Sequence, residues 1–230
     1  QDNIQQWVEW LSSFKSRFHS GSNANKHVNE MKQRLEQMIA QYSLNATVEK
    51  ISHKASGQNS LKVTIPGADR PEEIIVLGGH FDSINMIPFL NAPGADDNAS
   101  GSSSLVEAMR VILSQGEQPQ RTVEFMWYAA EEVGLKGSAE IAQTYKQQNK
   151  DVIAVMQLDM TLFPGDGVRR FSSMGDFTSP WLRQVLSDLN GNYVNGDEIQ
   201  GECGYGCSDH ASWFRQGYAT VFPTEASFDN

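Results

Sequence analysis

Four short segments hold most of the residues in this chain that could do chemistry: Gly79-His80-Phe81-Asp82, Gly94-Ala95-Asp96-Asp97, Ala130-Glu131-Glu132 and Leu158-Asp159-Met160. Together they supply an imidazole, several carboxylates and two adjacent glutamates. Imidazole nitrogen and carboxylate oxygen are ordinary zinc donors, and a spare carboxylate beside the ions can serve as a base. The set therefore suits a pair of zinc ions and metal-assisted hydrolysis. Each segment has a plainer reading alone: a strand-end histidine is commonly a hydrogen-bonded loop residue, and Asp-Asp-Asn before a helix is commonly an N-cap. Glu131 and Glu132 resist such a reading. They lie between an apolar run and Val133-Gly134-Leu135, where two carboxylates without a counter-charge carry a heavy desolvation cost. A dication would supply that charge.

These segments need elements to hold them in place. Ile4, Trp7, Val8, Leu11 and Phe14 recur at helical spacing, which predicts an amphipathic helix over 3–18. A second helix is expected over 24–42, with Val28, Met31, Leu35, Met38 and Ile39 on one face. From Thr47 onward the pattern changes to β-branched runs over 47–51, 61–65, 74–77, 123–128 and 152–158. The later runs are continuously apolar, as in strands covered on both faces. Helices are expected between them over 98–113 and 138–146, and a further one over 180–189. This alternation predicts an α/β three-layer sandwich, a mostly parallel or mixed central sheet flanked by helices. His80, Glu131, Glu132 and Asp159 each follow a strand, so all fall at one edge of the sheet, where open α/β sheets build their sites.

Bulk properties narrow the partners. The 230 residues carry 18 basic and 28 acidic side chains, a formal net charge of −10, and Lys and Arg are scattered through the chain. Nucleic acid and anionic membrane surfaces are poor matches for that balance. The longest apolar stretches, such as Ile74-Ile75-Val76-Leu77, fall far short of the ~20 residues that span a bilayer. No linker or charge run divides the chain, so residues 1–230 read as one domain. The only cysteines, Cys203 and Cys207, flank Gly204-Tyr205-Gly206. A disulfide loop, half of a zinc site and two buried thiols are all open to such a pair. The flanking glycines and the lack of a second pair favour the disulfide, hence an oxidising compartment.

The chain resembles the bacterial leucyl aminopeptidases, secreted dizinc exopeptidases of the transferrin-receptor-like zinc peptidase group. The resemblance rests on Gly78-Gly79-His80-Phe81-Asp82-Ser83, Ala92-Pro93-Gly94-Ala95-Asp96-Asp97-Asn98-Ala99-Ser100-Gly101, Tyr128-Ala129-Ala130-Glu131-Glu132-Val133-Gly134-Leu135, Gln157-Leu158-Asp159-Met160-Thr161 and Cys203-Gly204-Tyr205-Gly206-Cys207-Ser208-Asp209-His210-Ala211-Ser212-Trp213. It implies a zinc-exopeptidase-like fold and removal of a leucine-like residue from peptides with a free N-terminal amine, by a secreted, monomeric enzyme. By the same resemblance Asp96 bridges two zinc ions, His80 and Asp159 complete one site, and Glu132 belongs to the other. Glu131 becomes the general acid/base, Asp82 the carboxylate that accepts the His80 N–H, and Tyr205 a group near the oxyanion. Met160, Cys203, Cys207 and Phe228 would line the pocket for the leaving residue's side chain.

In that family a fifth ligand, a histidine, lies beyond the segment matching Pro223 to Phe228. The expectation is that a chain ending at Asn230 lacks a C-terminal strand and helix and holds one zinc or none, at His80, Asp96 and Asp159. His210 matches a family position that is not a ligand, and His19, His27 and His53 read as structural. Two rival functions share the scaffold: a glutaminyl cyclase, and a non-catalytic binding domain.

Overall fold

The computed structural model describes residues 2–87, 90–163, 167–168 and 170–225. Two helices, α1 (Asp2–Ser12) and α2 (Lys26–Ile39), precede β1 (Thr47–Ile51), β2 (Ser60–Ile65) and β3 (Arg70–His80). A π-helical turn, Ala95–Ser100, leads into α3 (Gly101–Ser114), and β4 (Arg121–Tyr128), α4 (Lys136–Gln147) and β5 (Asp151–Gln157) follow. Then come β6 (Arg170–Met174), α5 (Pro180–Leu189), β7 (Asp197–Gly201), α6 (His210–Arg215), β8 (Thr220–Val221) and β9 (Pro223–Glu225). Among the described residues no helix is long and apolar enough to cross a membrane.

The main sheet has the order β1-β2-β4-β3-β5-β8. β1, β2 and β4 pair antiparallel, whereas β4, β3, β5 and β8 run parallel. This is the mixed sheet expected from the apolar runs. Successive side chains of a strand face opposite ways, and β4 shows the result. Phe125 and Trp127 enter a core with Leu11, Met31 and Leu35 from α1 and α2 and with Leu105 and Met109 from α3. Met126 and Tyr128 enter a second core with Ile141 and Tyr145 from α4 and Trp213 from α6. Both faces of the strand are covered, hence its unbroken hydrophobicity.

Element ends differ from expectation where tertiary pairing intervenes. α1 stops at Ser12, not near residue 18, because Ser16 bridges to Ala92 and the Lys15 carbonyl accepts the Ala92 N–H. α3 begins at Gly101, since the chain first makes the irregular turn carrying Asp96 and Asp97. A Cβ on Gly101 would sit 2.2 Å from the Leu158 carbonyl oxygen, so only glycine lets the helix start this close to the end of β5. A small second sheet, β7-β6-β9, lies outside the sequence expectation.

Candidate metal centre

The parallel strands β4, β3 and β5 are neighbours, so the segments leaving their carboxyl ends meet. β3 ends in His80, β4 leads into Glu131-Glu132, and β5 leads into Asp159. From β3 the chain proceeds to β4 on one side, and from β4 it crosses back to β5 on the other. That is the switch point at which a crevice opens in such sheets. A cavity of about 510 Å³ lies there, lined in part by His80, Asp97, Glu131, Glu132, Asp159 and Tyr205.

His80 is buried, and its two nitrogens have separate tasks. Nδ1 lies 3.1 Å from the Asp82 main-chain oxygen, the geometry of a donated N–H. In the neutral ring that leaves a lone pair on Nε2, which faces Asp97 Oδ1 at 2.8 Å and Asp159 Oδ1 at 3.4 Å. A lone pair cannot hydrogen-bond to a carboxylate. Either an extra proton or a cation must sit between them. Burial alone pushes the His80 pKa down, yet Asp159, Glu131 and the other carboxylates lift it well above its ordinary value.

Glu131 and Glu132 show the same shortage of positive charge. Burial pushes Glu131 well above the usual carboxylate range, with Asp209, Asp159 and Asp82 adding to the rise. Glu132 is pushed up to about 7 by burial and by Asp97. Asp159 Oδ1 is buried and makes no hydrogen bond among the described residues. The ligand atoms of His80, Asp97 and Asp159 all lie within 4.8 Å of one another. One imidazole nitrogen and two carboxylate oxygens converging in this way fit a divalent metal ion.

The structure corrects one expected member of the group. Asp97, not Asp96, faces His80 and Asp159. Asp97 has an extended, non-helical backbone (φ −98°, ψ 96°) inside the Ala95–Ser100 turn, which aims its carboxylate into the cavity. Asp96 instead neighbours Glu225, whose carboxyl is pushed up to about 8 by burial and by this second acid. Asp82 also differs from the expected arrangement. Its two carboxylate oxygens accept the Glu131 and Glu132 N–H groups at 3.0 and 3.3 Å, and Oδ1 stands 3.5 Å from His80 Nδ1. Asp82 therefore ties the β3 and β4 ends together, and its carbonyl rather than its carboxylate takes the imidazole proton.

Other expected residues fall around the same cavity. Met160, Tyr205 and Cys207 line it, Cys203 does not, and Phe228 lies outside the described residues. Leu135 and Phe222 line it without having been singled out in the sequence. Cys203 and Cys207 form a disulfide with Cα atoms 6.4 Å apart, and Asp176 Oδ2 accepts the Cys203 and Gly204 N–H groups. The exposed Tyr205 thus sits on a loop closed by a covalent bond and anchored by a carboxylate. His210 is buried, with Nε2 3.0 Å from the Asp176 carbonyl oxygen, and takes no part in the metal group.

Two positioning side chains went unnoticed in the sequence. Ser208 Oγ donates to Asp159 Oδ2 at 2.6 Å, which leaves Oδ1 for the cavity. Asn98, wholly buried, donates to the Leu158 carbonyl at 3.0 Å. Its own Oδ1 accepts from Gly101 N at 2.9 Å and Met160 N at 3.3 Å. It locks the Asp97 turn to the Asp159 segment. Neither residue stands out in a sequence, because a buried polar side chain is recognised only by its distant partners.

Fold and donor set define an α/β protein whose central sheet carries a candidate metal centre at its switch point. The profile of Peptidase family M28 matches residues 60–230, and the chain belongs to that family. It is 36% identical over its whole length to leucine aminopeptidase 1 of Ajellomyces capsulatus, of which the match covers 62%. The crystal structure of the LapA aminopeptidase of Legionella pneumophila superposes with a TM-score of 0.90 at 35% identity, over 99% of this chain and 61% of that one. LapB from the same organism gives 0.91 at 30% identity, over 99% and 62%. The chain thus spans about three-fifths of the length of these relatives.

Proposed function

We propose that this chain is the catalytic part of a zinc-dependent aminopeptidase that removes a leucine-like residue from the amino end of peptides. The observation that carries the reading is His80 Nε2, aimed at two carboxylate oxygens beside a buried Glu131. His80, Asp97 and Asp159 would hold one zinc, and Asp97 and Glu132 offer oxygens to a second. Bound zinc would supply acidified water and a polarised carbonyl.

Glu131 does the proton work. Its carboxyl is buried in the cavity wall, which holds it above the usual carboxylate range and makes it a stronger base than an exposed glutamate. It takes the proton of the attacking water and delivers it to the leaving amine. The N–H groups of Glu131 and Glu132 are fixed on Asp82, so this base keeps its place through both transfers. The acidic cavity receives the substrate's free α-ammonium, which restricts cleavage to the first residue. Met160, Leu135 and Phe222 give the side chain an apolar wall, and Tyr205 at the mouth offers its phenol to the developing oxyanion. The disulfide fits an oxidising compartment, so the mature enzyme is read as extracellular.

The test pairs two substrates with one variant. Wild-type protein loaded with zinc is given a leucine anilide and a peptide with N-terminal glutamine. Release of leucine is expected, whereas pyroglutamate alone would identify a cyclase. Glu131→Gln should keep its zinc and lose roughly 10²–10⁴-fold in turnover. Equal turnover with and without this carboxylate would refute the assigned role.

A further inference from the structure

The metal group hangs on a residue that belongs neither to the sheet nor to the cavity. Arg17 lies between α1 and α2 and is 1% exposed. Its guanidinium donates to the carbonyls of Leu11, Phe81, Pro93 and Gly94, through Nε, both Nη atoms and four of its five N–H groups. These acceptors come from three separate stretches: the end of α1, the segment leaving His80, and the segment entering the Asp97 turn. The Arg17 N–H donates to Ser83 Oγ at 3.1 Å, and that hydroxyl donates to the Ala92 carbonyl at 2.6 Å. The Arg17 carbonyl accepts from Gln58 Nε2 at 3.0 Å. Gln58 also donates to His27 and accepts the Ala130 N–H at 3.3 Å, next to Glu131. Arg17 therefore holds the segments leaving His80 and entering the Asp97 turn directly, and reaches the Glu131 segment through Gln58.

Gly94 shows how close this contact is. A Cβ there would lie 2.8 Å from Arg17 Nη2 and 2.3 Å from the Asp97 carbonyl oxygen, on a backbone with φ +51°. The arrangement is also an unusual use of charge. A buried cation normally needs an ion-pair partner, yet none of the ion pairs among the described residues involves Arg17. Four carbonyl dipoles and the nearby acids of the cavity take that place.

We propose that Arg17 is a positioning residue for the metal group: its guanidinium fixes the spacing of the His80 and Asp97 segments before any metal arrives. The inference rests on the metal reading given above. A planar fork bonding carbonyls along its edges cannot be replaced by the point charge of lysine, so Arg17→Lys keeps the charge and loses the geometry.

The experiment has two arms. Zinc affinity is measured by competition with a chelating dye, for wild type and for Arg17→Lys below its melting transition. A loss of about 10–100-fold is expected, the range typical of side chains that orient metal ligands, with turnover recovering toward wild type at saturating zinc. A folded Arg17→Lys protein that binds zinc as tightly as wild type overturns the proposal. The second arm needs no variant: hydrogen exchange on metal-free wild-type protein. The amides of Phe81, Ala92 and Ala99, bonded to Tyr128, Lys15 and Gly94 carbonyls, should exchange slowly without metal. If they exchange freely until zinc is added, the metal rather than Arg17 sets the spacing and the inference fails. Wild-type protein that takes up no zinc would remove the metal reading, and the proposal with it.

Discussion

Asn98→Ala probes how tightly the Asp97 turn is bound to the Asp159 segment. The side chain is fully buried and makes three hydrogen bonds, to the Leu158 carbonyl and to the Gly101 and Met160 amides. Alanine leaves all three backbone groups without that partner. Each orphaned buried group costs about 1–3 kcal/mol, and some relief comes from water entering the space. A loss of roughly 3 kcal/mol is expected. For a chain of this size that lowers Tm by about 6–12 °C. Thermal melts followed by circular dichroism on metal-free protein measure it without any contribution from zinc binding. Asn98→Asp keeps the shape but turns the donor toward Leu158 into a carboxylate oxygen. Buried beside other acids, that carboxyl has a folded pKa raised above its unfolded value, so the folded state binds the proton more tightly. Its deficit should therefore be larger at pH 8 than at pH 5, where the protonated acid can donate to the Leu158 carbonyl. A Tm change under about 2 °C for Asn98→Ala, or an Asn98→Asp deficit that grows as pH falls, would refute the reasoning.

Two further outcomes follow from the site. Asp97→Asn should weaken zinc binding by about 100-fold or more, because a ligand charge is lost, whereas Asp96→Asn should change it by less than about tenfold; competition with a chelating dye separates the two, and the reverse order would restore Asp96 as the ligand. His210 is pushed down from 6.5 to about 4 by burial, and its Nδ1 has no hydrogen-bond partner among the described residues. The folded value lies below the unfolded one, so this stability is complete above pH 6.5 and is lost as pH falls toward 4, about 3 kcal/mol in all. His210→Gln should flatten that part of the pH–stability curve measured by denaturant titration, and an unchanged slope would count against the buried neutral imidazole.

The difference between what could and could not be read from the sequence has a physical basis. β3, β4 and β5 announce themselves because both faces are buried, which makes their apolar runs continuous. The polar residues placed just after those runs then land at one edge of the sheet by topology alone. That is why His80, Glu131, Glu132 and Asp159 could be grouped without coordinates. β6 and β7, Arg-Phe-Ser-Ser-Met and Asp-Glu-Ile-Gln-Gly, carry no such signal because β6 buries two serines instead of an apolar run and β7 has no buried position. The choice between Asp96 and Asp97 fails for a different reason. Neighbouring residues in an irregular turn point in different directions, and spacing cannot tell which of two adjacent acids faces inward until backbone dihedrals are known.

The residues that hold the ligands in register are the least legible of all. Arg17, Gln58, Asn98 and Ser208 are polar, buried and bonded mainly to groups 40 or more positions away, as in the separations of 77 positions from Arg17 to Gly94 and 49 from Asp159 to Ser208. No local periodicity marks them, because their value lies in satisfying main-chain groups on loops that must bend at the strand ends. Those loops leave donors and acceptors that no strand neighbour can pair. A site made of like-charged carboxylates repels itself when empty, so its spacing has to be imposed from behind. A guanidinium, two carboxamides and a hydroxyl can do this with fixed geometry and without adding further negative charge. Ligand chemistry is thus carried by short segments at strand ends, while ligand spacing depends on single polar residues scattered along the chain.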